Sequence, residues 1–158
     1  MRKQWKVMSA LVGGGTLLVA GTVLAQSGHF IEGGGGTTCT DTGTTMTCVG
    51  KVAGLGGTTF EIVVEAPGTA VVECINPAGN RAPGQDTSIT ATGTTDPQPT
   101  PRNGQYRFRV STDTPSVADS ACPNPQWTPV VIDVEFGDAT ISLYENGSLS
   151  DQITVPVE

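Results

Sequence analysis

Four cysteines, one histidine and a few clustered acids carry whatever chemistry this chain has. Cys39, Cys48, Cys74 and Cys122 are an even set. Zinc is the first chemistry to weigh, and it fails on spacing. No C-x-x-C occurs, and His29, the single histidine, stands close to the Gly33–Gly36 run. The cysteines read instead as two disulfides. Three pairings are open. Cys39 and Cys48 flank the turn-prone Asp41-Thr42-Gly43-Thr44, which favours Cys39–Cys48 with Cys74–Cys122.

No catalytic set emerges from the remaining groups. A hydrolytic triad needs a base near pH 7, held in place by its surroundings. His29 follows Gly28 in a polar, Gly-rich stretch that offers no such support. A square-planar copper site would need Ser27 as the first residue, and cleavage after Gln26 is unfavourable. Glu61, Glu73, Asp133 and Glu135 alternate with apolar residues, so they should face water rather than flank a cleft. The chain therefore reads as a non-enzyme with no required cofactor. Calcium is the more plausible metal, through Asp133, Glu135 and Asp138 around one expected hairpin tip. Trp127 follows Pro123-Asn124-Pro125-Gln126 and reads as a core aromatic near a disulfide; exposed, it would mark a binding surface. Pro97-x-Pro99-x-Pro101 reads as a rigid connection, and Asn146-Gly147-Ser148 as a turn that also matches a glycan acceptor.

The address of these residues comes from the start of the chain. Arg2, Lys3 and Lys6 precede an uncharged stretch from Val7 to Leu24, and Val23 and Ala25 form a small-residue cleavage site. Residues 1–25 read as a secretory signal peptide, removed from a soluble product. The remaining chain carries five Lys and Arg against fifteen Asp and Glu, a net charge of −10. Such a surface repels phosphate backbones and anionic headgroups, so neither nucleic acid nor membrane insertion is expected. The expected partner is an extracellular protein or glycan.

The elements that must position these residues are strands. Residues 26–38 read as a flexible Gly-rich leader and 39–158 as one domain. Period-two alternation recurs, and Gly, Pro and Thr are abundant. Strands are expected over Met46–Ala53, Thr58–Ala66, Thr69–Ile75, Asp86–Thr92 and Gln105–Ser111. Turns are expected at Gly54–Gly57 and Pro67-Gly68. A late hairpin is expected to turn Val130, Ile132, Val134 and Phe136 to the core, with Gly137-Asp138 as its turn. A strand through Ala139, Ile141 and Leu143 follows, and Asn146-Gly147 signals a type I′ turn into Gln152–Val155. Arg107 and Arg109 are expected opposite acids such as Glu61, Glu65, Asp133 or Glu135. Seven or eight strands with regular turns imply an all-β, antiparallel, immunoglobulin-like β-sandwich.

Three motifs, CVGKVAGLG from Cys48, CINPAGNRAPGQ from Cys74 and CPNPQW from Cys122, occur together. They resemble a family of uncharacterised secreted bacterial proteins with the pattern CxGKVAGLG, CxNPxGNxAPGQ and CPNPxW, over roughly Cys39 to Leu143. That resemblance implies an exported domain and no particular activity. The chain is also similar in outline to the enediyne-carrier apoproteins, which are small, acidic, exported immunoglobulin-like domains with two disulfides. That likeness implies a small-ligand cleft between sheets, although here the short cysteine loop comes first and the second bridge is long.

Overall fold

The computed structural model describes residues 27–32 and 36–158. The expected signal peptide and Gly33–Gly35 lie outside the described residues. Eleven strands are present: β1 (His29–Phe30), β2 (Thr38–Asp41), β3 (Met46–Ala53), β4 (Thr59–Ile75), β5 (Arg81–Pro83), β6 (Thr87–Thr94), β7 (Gln98–Pro99), β8 (Tyr106–Ser111), β9 (Thr128–Phe136), β10 (Ala139–Glu145) and β11 (Ser148–Val155). All strand-to-strand ladders are antiparallel. Very short β1, β5 and β7 raise the count above the expected seven or eight, because two or three residues show no readable alternation.

Two sheets result. In one, β3 pairs with β8 on one side, and with β1 and then β2 along the other. In the other, β4 is central. Alternation runs through it without interruption, from Phe60 to Cys74. The turn expected at Pro67-Gly68 does not form, and β4 is a single strand of 17 residues. Nor is Gly137-Asp138 a hairpin turn. Both β9 and β10 pair with β4, Phe136 opposite Gly68 and Thr140 opposite Glu65. They are two stretches of nearly continuous strand lying along one side of β4. Pro67 and Gly137 meet at the gap between them, where the Gly137 N–H donates to the Pro67 carbonyl (2.8 Å). A strand residue's N–H and C=O point to the same side. The donor that proline lacks therefore faces this gap, where no ladder bond is lost.

Asn146 (φ 49°) and Gly147 (φ 79°) form the expected tight turn from β10 to β11. Both expected disulfides are present. Cys39 lies directly opposite Cys48 in the β2–β3 ladder, and Cys74 near the end of β4 joins Cys122.

Inward residues form two cores. The larger lies between the sheets, with Met46, Val52 and Phe108 meeting Phe60, Ile62, Ile141 and Leu143. The smaller sits farther along the same face of β4. There Ala70, Val72 and Val134 pack against Ala121, with Val117 and Ile89 around them. This second core is roofed by the segment after β8, which holds a single 3-10 turn at Asp119–Ala121.

The expected flexible leader is corrected in part. His29 and Phe30 pair with Ala53 and Val52. Phe30 is buried and meets Phe108 edge-on, with ring centroids 5.9 Å apart. One buried aromatic ring holds His29 and Phe30 against the sheet.

At Gly93 of β6, the sheets approach backbone to backbone. A Cβ there would meet the Ser111 carbonyl oxygen well inside van der Waals contact. Gly93→Ala is expected to destabilise the domain by about 2 kcal/mol, because backbone cannot step aside as a side chain can. Urea unfolding measures this; a loss below about 0.5 kcal/mol would show that the two strands can part freely.

Candidate functional site

The β9 segment carries most of the residues singled out from sequence. Asp133 and Glu135 lie opposite Val71 and Thr69, on the outward face of β4's sheet, and are exposed. Asp138 is exposed in the gap between β9 and β10. Because this gap is not a hairpin tip, the three carboxylates do not converge. Among the described residues no group of three His, Cys, Asp or Glu could hold a metal ion.

A β-bulge reshapes the rest of β9. The register slips between Val71 and Val72, leaving Ile132 as the extra residue. Val131 then sits opposite Val72 and takes the half-buried place that alternation assigned to its neighbours. Val130 (36% exposed) and Ile132 (43% exposed) turn to solvent, where the sequence placed them in the core. The one-residue slip changes the face of side chains before the bulge, so Val130 turns outward while Val134 stays buried. Val130 lies opposite Glu73, which accepts from the Arg81 guanidinium at 2.8 Å. A shallow groove of about 420 Å³ runs here, lined by Val71, Glu73, Arg81, Pro83, Asp86 and Ile132 among others. An apolar strip beside a charged pair is a surface able to bind a partner. Trp127 precedes β9. It is half-buried in a turn where its N–H donates to the Asn124 carbonyl (3.0 Å), and it belongs to neither core cluster. The expected core aromatic is therefore a partly exposed one.

Arg107 and Arg109 also differ from expectation. Among the described residues β8 pairs only with β3, so their opposite residues are Lys51 and Val49, not acids. His29 is exposed in β1, its Nδ1–H donating to the Ser27 carbonyl (3.0 Å).

Sequence reasoning missed Glu145, the one buried carboxylate among the described residues. It ends β10 and takes an inward position. Oε1 accepts from the Gly56 and Gly57 N–H groups (2.7 and 3.1 Å), and Oε2 from Gly28 N–H and Ser150 Oγ (3.0 and 2.7 Å). Burial pushes its pKa up, but the bonds from Ser150, Gly56, Gly57 and Gly28 outweigh that and hold it below its ordinary value. With all four donors supplied by the protein, this carboxylate acts as a clamp that joins the first strand, the Gly54–Gly57 turn and β11. The Gly-rich runs were the only signal, since glycine N–H groups approach a carboxylate without hindrance.

A second cleft, of about 270 Å³, lies between β1 and β11. Its walls include Phe30, Ile31, Ile153, Val155 and Pro156. No helix among the described residues is long and apolar enough to cross a membrane. Compared with protein-family models, with curated proteins and with solved structures, the chain finds no match in any of the three.

Proposed function

We propose that the chain is a secreted, non-catalytic β-sandwich module of immunoglobulin-like type, which binds an extracellular protein or glycan through its outward surface. One observation carries the reading: the bulge that brings Val130 and Ile132 to solvent beside the Glu73–Arg81 pair. Stranding two branched aliphatics in water costs stability, and a partner that covers them recovers it. Two disulfides and the basic head of the sequence support export. The motif resemblance points to the same compartment.

The test is binding of the labelled, oxidised domain to intact cells of the producing organism. Saturable binding is expected. A Val130→Asp, Ile132→Asp variant, folded by circular dichroism, is expected to bind about tenfold more weakly or worse. Equal binding by the variant would sink the reading, as would free thiols in exported material.

A small-ligand carrier is the second reading, favoured by the apolar cleft between β1 and β11. At about 270 Å³ it falls just below the usual range of roughly 300–1,000 Å³. Saturable uptake of an apolar dye, lost in Ile153→Arg, would favour it over the first.

A further inference from the structure

The two outward sheet faces carry opposite charge. On the β3–β8 sheet, Arg107 and Arg109 are exposed and alternate with buried Phe108 and Val110. Lys51 sits directly opposite Arg107 and shares their face. Three of the five cations beyond residue 25 thus occupy one face. The other strand positions on that face are His29, Thr38, Thr40, Thr47, Val49, Ala53 and Ser111, with no acid among them. Like charges placed opposite one another in a ladder are destabilising. The sole ion pair among the described residues is Arg81–Glu73, far from this stripe in the other sheet. Among the described residues no ion pair offsets the cost of Lys51 beside Arg107. A local rule broken without compensation inside the chain points outside it.

The opposite face is the complement. Glu61, Glu65 and Glu73 alternate with buried β4 residues, and Asp133 and Glu135 join them from β9. Arg81 is the one cation on that face.

We propose that the basic face of one copy stacks on the acidic face of a second, so that the domain assembles with itself head to tail. Two different surfaces meet in such a contact, so it does not close at two subunits and propagates as an open chain. The net charge of −10 over residues 26–158 does not prevent this. At physiological salt, charges more than about 8 Å apart are largely screened, and the facing residues decide. Two sheet faces can pack on one another, with their twist setting the angle between them. Self-stacking concerns the folded domain alone and holds wherever the chain resides.

Sedimentation of the oxidised domain tests it. At about 150 mM salt the mass is expected to rise with concentration, without stopping at the dimer, and to fall toward the monomer at about 500 mM salt. Two variants block one face each. Lys51→Gln, Arg107→Gln, Arg109→Gln removes the basic stripe; Glu61→Gln, Glu65→Gln, Glu135→Gln thins the acidic one. Each alone is expected to associate about tenfold more weakly than wild type, as loss of three exposed pairs implies. Mixed together they keep one good face of each kind and are expected to form one-to-one pairs and nothing larger. All six positions are exposed or half-exposed, so the variants should fold, and the salt series on wild type gives a readout without them. A wild type that stays monomeric at about 150 mM salt overturns the proposal. So does a wild type that stops at two copies. Retention on a sulfated polysaccharide, lost with the basic stripe in a protein that never self-associates, would assign that face to a polyanion instead and overturn it equally.

Discussion

Replacing Glu145 with Ala is expected to lower the unfolding free energy by about 4 kcal/mol, a large part of what a domain of this size has. The side chain is fully buried, and four donors converge on its two oxygens. Alanine removes every acceptor at once. The Gly28, Gly56 and Gly57 N–H groups then point into a space with no partner, and each buried orphan costs about 1–3 kcal/mol. Glu145→Gln separates charge from shape. It keeps one oxygen but turns an amide NH₂ toward N–H donors, so it should lose about half as much. Acid should mimic the substitution. Because the folded pKa is lower than the unfolded one, the clamp contributes fully above the unfolded value, about 4.3. Its contribution is lost as pH falls from there through the folded value. Urea unfolding at pH 7 and in acid, with the disulfides intact, measures both effects. Hydrogen exchange supplies the local readout, since the Gly28, Gly56 and Gly57 amides should lose protection in the variant. A loss below about 1 kcal/mol with those amides still protected would show that water replaces the carboxylate.

How much of this was legible in the sequence depends on the length of the pattern. Met46–Ala53 alternates over eight residues, and strand β3 has those bounds. Asn146-Gly147 needs positive φ at two adjacent residues, and the turn is where that pair stands. Pro67-Gly68 and Gly137-Asp138 misled for one shared reason. Each punctuates its own strand, and local chemistry cannot show that the two lie opposite each other and cancel. Val130 and Ile132 were placed inward because a bulge inserts one residue without a compositional mark. Arg107 and Arg109 were matched to acids because strand order cannot be read from alternation. Glu145 looked like any strand-end acid. Its role depends on Gly28, 117 positions away in the chain, and no local period spans that distance. The outward acids Asp133, Glu135 and Asp138 were found, but their convergence was inferred from a hairpin that does not form.

Removing the Cys74–Cys122 bridge, as Cys74→Ala, Cys122→Ala, is expected to cost about 4 kcal/mol, against about 2.5 for Cys39→Ala, Cys48→Ala. The sequence separations are 48 and 9 residues, so the first bridge withdraws far more freedom from the unfolded chain. The packing argument leads to the same order. Cys39 and Cys48 face one another in a ladder that hydrogen bonds already hold, inside the larger core. Cys122 instead anchors the segment that roofs the smaller core, where the four buried members are Ala70, Val72, Ala121 and Val134. Two alanines and two valines bury too little apolar surface to hold that segment alone. Without the bridge, the stretch between β8 and β9 should open while the larger core stays closed. A protease should then cut between residues 112 and 127 under conditions where near-ultraviolet dichroism still reports native Phe and Tyr packing. Uncut protein with unchanged stability would mean that the roof is held by its own contacts. Greater damage from loss of Cys39–Cys48 would mean that the larger core depends on its bridge more than the smaller core depends on Cys74–Cys122.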